Sequence, residues 1–204
     1  MKTCYIIGAG DITDPKISAK AEDLIICADG GYKHKELLGR TCDLVVGDFD
    51  SLGCVPDTEN KKVAPCEKDE TDMMLAVLCG YEKGYDNFVL LGALGGERYD
   101  HSIANIQLLS FIASKGGRGT IIHGNNIMTV FKDSSIILNK ELKGYISIFS
   151  LKDESRGVTI KNLKYTLEDA SLRSYVPVGV SNEFIGEESF VEVKDGVLLV
   201  CYKN

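Results

Sequence analysis

Short apolar runs punctuated by Gly and Asp alternate with helical patterns over roughly the first 125 residues. Thr3–Gly8, Leu24–Ala28, Leu44–Gly47, Phe88–Leu94 and Arg118–His123 are the strand-length runs. Continuous apolarity, rather than strict alternation, predicts strands covered on both faces. Between them, Asp72–Lys83 carries Met73, Leu75, Ala76, Val77, Leu78 and Cys79, has Lys83 in its last turn and is followed by Gly84, a helix with a glycine stop. His101–Lys115 is a second helix, with Ile103, Ile106, Leu109 and Phe111 among its apolar positions and Gly116-Gly117 ending it. This order predicts an α/β domain over residues 1–125, a mainly parallel sheet flanked by helices, with ligands at the carboxyl ends of its strands.

After Gly124-Asn-Asn126 the texture changes. Ile127–Phe131, Ser135–Leu138, Tyr145–Leu151, Gly157–Ile160, Phe190–Val193 and Val197–Tyr202 are short β-rich runs separated by turn residues, and Lys194-Asp-Gly196 has the composition of a hairpin turn. Residues 126–204 are expected to form an antiparallel β-sandwich.

Composition narrows the function. The 204 residues carry a net charge of −7 with no basic run, which argues against a nucleic-acid surface and suits a cationic ligand. No segment approaches the length of a membrane span, and the N-terminal apolar stretch is too short for a signal peptide. Seven scattered cysteines, with no CxxC and no His/Cys ligand spacing, predict reduced thiols and a cytoplasmic protein.

Chemistry concentrates where the first-half strands end. In Gly47-Asp-Phe-Asp-Ser51, Asp48 and Asp50 stand one residue apart. An extended chain would turn both carboxylates to one hard cation and Phe49 to the core. Glu67-Lys-Asp-Glu-Thr-Asp72 precedes the first helix. There Asp69 is a candidate N-cap with Asp72 at N3, while Asp72 also offers a third carboxylate for Mg²⁺ beside Asp48 and Asp50. Lys68 and Thr71 are free to meet phosphate oxygens. Ala28-Asp-Gly-Gly31 is either a tight turn or a close approach to phosphate. Gly92-Ala-Leu-Gly-Gly-Glu-Arg-Tyr-Asp-His101 supplies a glycine loop, the fork of Arg98, and Asp100 as its partner or as a helix cap. No Walker sequence occurs, and Gly8-Ala-Gly10 lacks the third glycine of the dinucleotide fingerprint. Ser181-Asn-Glu-Phe184 carries a hydroxyl and a carboxamide able to hydrogen-bond a heterocycle, although by itself it reads as a turn.

In order and spacing, Ala28-Asp-Gly-Gly31, Gly47-Asp-Phe-Asp-Ser51, Asp69-Glu-Thr-Asp72, Gly95-Gly-Glu-Arg-Tyr-Asp-His101 and Ser181-Asn-Glu-Phe184 resemble the thiamine pyrophosphokinase (thiamin diphosphokinase) family over nearly the whole chain. The family's phosphate loop usually reads Gly-Gly-Arg, whereas Glu97 intervenes here. The resemblance implies transfer of the diphosphoryl group of ATP to the hydroxyl of thiamine, giving thiamine diphosphate and AMP. It also implies a homodimer with active sites between subunits. It assigns Asp48, Asp50 and Asp72 to Mg²⁺ and sets Asp29 beside the reacting groups, to orient the hydroxyl or take its proton. Lys68, Asp69, Thr71, Arg98, Asp100 and Asn105 fall to the ATP site, and Ser181 and Asn182 to the aminopyrimidine. A pyrophosphokinase acting on another heterocyclic alcohol and a non-catalytic thiamine sensor are the competing readings.

Overall fold

The computed structural model describes residues 1–13, 15–49, 60–63 and 69–204. Asp50 and Lys68, together with Cys54 and Cys66, lie outside them. The chain divides into two compact units, Met1–Leu108 with Ile121–Gly124, and Leu109–Thr120 with Asn125–Asn204.

In the first unit β1 (Cys4–Ile7), β2 (Leu24–Ala28), β3 (Leu44–Gly47), β4 (Lys61–Val63), β5 (Asn87–Leu91) and the Ile121–His123 end of β6 (Arg118–His123) follow the sheet order β6-β5-β1-β2-β3-β4. The pairs β1/β2, β1/β5, β2/β3 and β3/β4 are parallel. Every residue of β1 and β2 is buried, as unbroken apolar runs require when both faces are covered. Helix α1 (Asp72–Glu82) packs on β1, β2 and β3. Helix α2 (Tyr99–Ser114) begins two residues before the expected His101. Tyr5, Ile7, Ile25, Cys27, Leu38, Val45, Phe49 and Leu91 form one apolar core. Strand β4 has no counterpart in the sequence pattern: its two lysines and one valine are all exposed, on the edge of the sheet.

The second unit is a sandwich. Strands β7 (Asn126–Lys132), β8 (Ser135–Leu138), β9 (Tyr145–Ser150), β10 (Glu154–Lys161), β11 (Leu167–Arg173), β12 (Asn182–Glu183), β13 (Ser189–Glu192) and β14 (Val197–Lys203) make two antiparallel layers, β12-β9-β14-β7 and β11-β10-β13-β8. Ile146, Ile148, Leu198 and Val200 from one layer meet Val158, Ile160, Leu172 and Val191 from the other in a single core. The turn Lys194–Gly196 is not a hairpin. Strand β13 pairs with β10 and β8 while β14 pairs with β7 and β9, so the turn carries the chain from one layer to the other. It is pinned by Gly196 N–H donating to Asp133 Oδ1 at 2.8 Å.

Candidate active site

Because β1, β2, β3 and β5 run parallel and in register, their carboxyl ends lie along one edge, and the chemistry-bearing loops leave from there. Past Ala28 the chain turns into a short 3₁₀ helix, Asp29–His34, whose first residue has φ 42°, a conformation that costs energy for a residue with a Cβ. Gly31 allows this turn to close, since a Cβ there would collide with the carbonyl oxygen of Ile7. Strand β3 stops at Gly47. A Cβ on Gly47 would approach the Asp29 Cβ to 3.0 Å, so glycine lets Asp29 stand directly against the end of β3, beside Asp48. Phe49 does reach the core, only 3% exposed, but from a left-handed turn with φ 63° rather than along an extended strand. Alternation in an extended chain therefore does not place Asp48.

Asp72 arrives from the other direction, as the first residue of α1. The helix is capped by Thr71, whose Oγ1 accepts the Met74 N–H at 3.2 Å. That corrects the reading of Asp69 as the cap with Asp72 at N3: Asp69 is exposed and two residues upstream of the cap. The cap fixes the first turn and hence the Asp72 side chain, while the helix dipole favours a carboxylate at that position.

The three segments bring Asp29, Asp48 and Asp72 together. Each is partly buried, and each offers a carboxylate oxygen within 4.8 Å of the others. Two like charges at that separation repel by about 3 kcal/mol at an effective dielectric near 20, and three such pairs favour a shared cation. Among the described residues the cluster offers carboxylate oxygens alone, with no sulfur or imidazole, the donor set for Mg²⁺ or a similar hard ion.

The loop after β5 is held from α2. Asn105, 6% exposed, donates through Nδ2 to the Ala93 carbonyl at 2.7 Å. Arg98 donates through Nε (3.1 Å) and Nη2 (2.8 Å) to Asp100, so Asp100 orients the arginine from within the first turn of α2. These hydrogen bonds pull the Asp100 pKa down to about 2, and the pair is largely exposed. His101 Nε2 lies 4.0 Å from the same carboxylate. Asp11 escapes notice in the sequence, because Gly8-Ala-Gly10 fails the dinucleotide fingerprint. Its Oδ2 nevertheless accepts the Gly96 N–H at 2.9 Å.

In the sandwich unit, Ser181 is exposed with φ 61°, and its N–H donates to Ser147 Oγ at 3.2 Å. Asn182 is buried and engaged. Its Oδ1 accepts from the N–H groups of Tyr165 and Glu183, both at 2.9 Å, and its Nδ2 donates to the Tyr165 carbonyl at 2.7 Å. Beside it opens a mainly apolar cavity of about 400 Å³ lined by Ile148, Ile160, Tyr165, Leu172, Val178 and Asn182 among others.

Fold and site together define an α/β enzyme with an acidic cluster and a glycine loop at the carboxyl edge of its sheet, joined to a β-sandwich. Residues 16–118 match the family model "Thiamin pyrophosphokinase, catalytic domain", and residues 134–198 match "Thiamin pyrophosphokinase, vitamin B1 binding domain". The chain belongs to the thiamin pyrophosphokinase family. It is 30% identical over 161 residues to thiamine pyrophosphokinase of Bacillus subtilis (strain 168), covering 76% of this chain and 75% of the relative. It is 27% identical over 165 residues to thiamin pyrophosphokinase 1 of Caenorhabditis elegans, covering 76% and 68%. The crystal structure of thiamine pyrophosphokinase from Bacillus subtilis superposes with a TM-score of 0.85 at 26% identity, covering 100% of this chain and 99% of that one.

Proposed function

We propose that this chain transfers the diphosphoryl group of ATP to the hydroxyl of thiamine, giving thiamine diphosphate and AMP. The observation that carries the reading is the convergence of Asp29, Asp48 and Asp72, in a chain whose two parts match the catalytic and vitamin-binding models of one family. Asp48 and Asp72 would hold Mg²⁺, and Asp29, at the same cluster, would orient the acceptor hydroxyl or take its proton. The family resemblance assigns Asp50, which lies outside the described residues, to the same ion. When bound, the ion neutralises charge on the phosphate oxygens. Diphosphoryl transfer asks for positioning and charge neutralisation rather than covalent help, so the protein's part is to hold the hydroxyl in line with the β-phosphorus. Arg98, fixed by Asp100, adds positive charge around the triphosphate; the resemblance gives Lys68, outside the described residues, the same task, and Asp69, Thr71 and Asn105 shape that pocket.

Residues 1–125 thus take ATP and the cation, and residues 126–204 take the vitamin. Ser181 faces the aminopyrimidine, and the 400 Å³ apolar cavity beside Asn182 is of ligand size. Tyr165, Tyr175, Val178, Val180 and Ile185 are exposed apolar side chains of the same unit and supply a homodimer interface that sets active sites between subunits. Sedimentation equilibrium is expected to return twice the 22.3 kDa chain mass; a monomer at micromolar concentration would contradict that assignment. Free thiols at Cys4, Cys27, Cys42, Cys79 and Cys201 fit a reducing cytoplasm, and among the described residues no helix is long and apolar enough to cross a membrane.

The test is incubation with ATP, Mg²⁺ and thiamine, followed by chromatography. Equal amounts of AMP and thiamine diphosphate are expected, and none from Asp48→Asn at an unchanged thermal midpoint. ADP in place of AMP, or wild-type turnover by the variant, would refute the reading.

A further inference from the structure

Strands β1 and β5 end at Ile7 and Leu91, yet the hydrogen bonding between their chains continues beyond both ends. Gly8 N–H donates to the Leu91 carbonyl at 2.8 Å, Gly10 N–H to the Gly92 carbonyl at 2.9 Å and Asp11 N–H to the Leu94 carbonyl at 3.1 Å. Fit is close along this rail: a Cβ on Gly10 would lie 2.7 Å from the carbonyl oxygens of both Gly92 and Leu94. The side chain of Asp11 then takes over from the backbone. Its Oδ2 accepts the Gly96 N–H at 2.9 Å, and a Cβ on Gly95 would fall on the same carboxylate. Gly95 and Gly96 both have left-handed φ, 81° and 72°, and a Cβ on Gly96 would meet nothing within 4 Å. Successive glycines visit such a conformation readily but do not hold it, so the tip of the loop needs an external tie. Asn105 fixes the loop at Ala93; Asp11 fixes it at Gly96.

We infer that Asp11 is a positioning residue for the nucleotide, holding Gly95-Gly96 in the shape that receives the phosphates of ATP. This rests on the reading above, in which the loop before Arg98 borders the triphosphate. A loop fixed before the ligand arrives binds it without a further ordering cost, so loss of the tie falls on nucleotide affinity and not on the vitamin. The hydrogen bond, rather than the charge, is the device, because asparagine offers an oxygen acceptor in the same position.

The experiment compares wild type, Asp11→Ala and Asp11→Asn by two readouts. Amide hydrogen exchange over Gly95–Glu97 is expected to be slow in wild type, fast in Asp11→Ala and slow again in Asp11→Asn. The KM for ATP is expected to rise about tenfold in Asp11→Ala, the loss of one hydrogen bond. It should return to within about threefold of wild type in Asp11→Asn, the thiamine KM and the thermal midpoint holding throughout. Unchanged exchange in Asp11→Ala, an unchanged ATP KM, or equal rises in the two KM values would overturn the inference. A wild-type chain that forms no AMP would instead sink the functional reading, which the exchange readout does not depend on.

Discussion

Asp29, Asp48 and Asp72 are each set by a backbone device next to them: a left-handed φ at Asp29, the bare Gly47 at the end of β3, and the Thr71 cap on α1. At this scale Ser181 and Asn182 separate into different roles. Asn182 spends three hydrogen bonds on its own unit, two of them to Tyr165, so Asn182→Ala is expected to lower stability by about 1–3 kcal/mol in urea denaturation. Ser181→Ala is expected to keep stability and raise the KM for thiamine while leaving that for ATP. A destabilised Ser181→Ala, or an Asn182→Ala as stable as wild type, would reverse the two assignments. The carboxylates of Asp48 and Asp72 were legible because acidic residues at a strand end and a helix start are local patterns. Asp11 was not, since its partner Gly96 lies 85 residues away and the tie exists only in the folded chain. Asn182 was legible as a hydrogen-bonding residue but not as one already engaged, because its partner Tyr165 is brought to it by the sandwich.

Elements divide along the same physical line. Strands β1, β2 and β3 could be read directly, since burial on both faces forces an unbroken apolar run. Helix α1 could be placed from its apolar positions and Gly84, although its cap is Thr71 and not Asp69. Strand β11 could not. Leu167–Arg173 is mostly exposed, contains Asp169 at φ 49°, and pairs with β10 through two register shifts, which breaks the alternation a half-buried strand shows. The turn at Lys194–Gly196 has hairpin composition, yet composition says nothing about which sheet the next strand joins. Its glycine serves the crossing between layers, where a Cβ would meet Ser155.

For the molecule as a whole, the α/β and β-sandwich classes were both legible from the change in texture near residue 125, because the period of the hydrophobic pattern itself changes there, although Leu109–Thr120 group with the second unit. Convergence of Asp29, Asp48 and Asp72 was foreseeable only through the family resemblance, which set Asp29 beside the reacting groups; that its carboxylate stands within 4.8 Å of the other two is a result of the fold. Diphosphoryl transfer by this chain requires that cluster to be a cation site. The most direct measurement is Mn²⁺ binding followed by electron paramagnetic resonance, with a non-hydrolysable ATP analogue, in wild type, Asp48→Asn and Asp72→Asn. The expected result is tight binding in wild type beyond what the free nucleotide takes up, and loss of that excess in both variants. Undiminished Mn²⁺ uptake by folded Asp48→Asn and Asp72→Asn would contradict it.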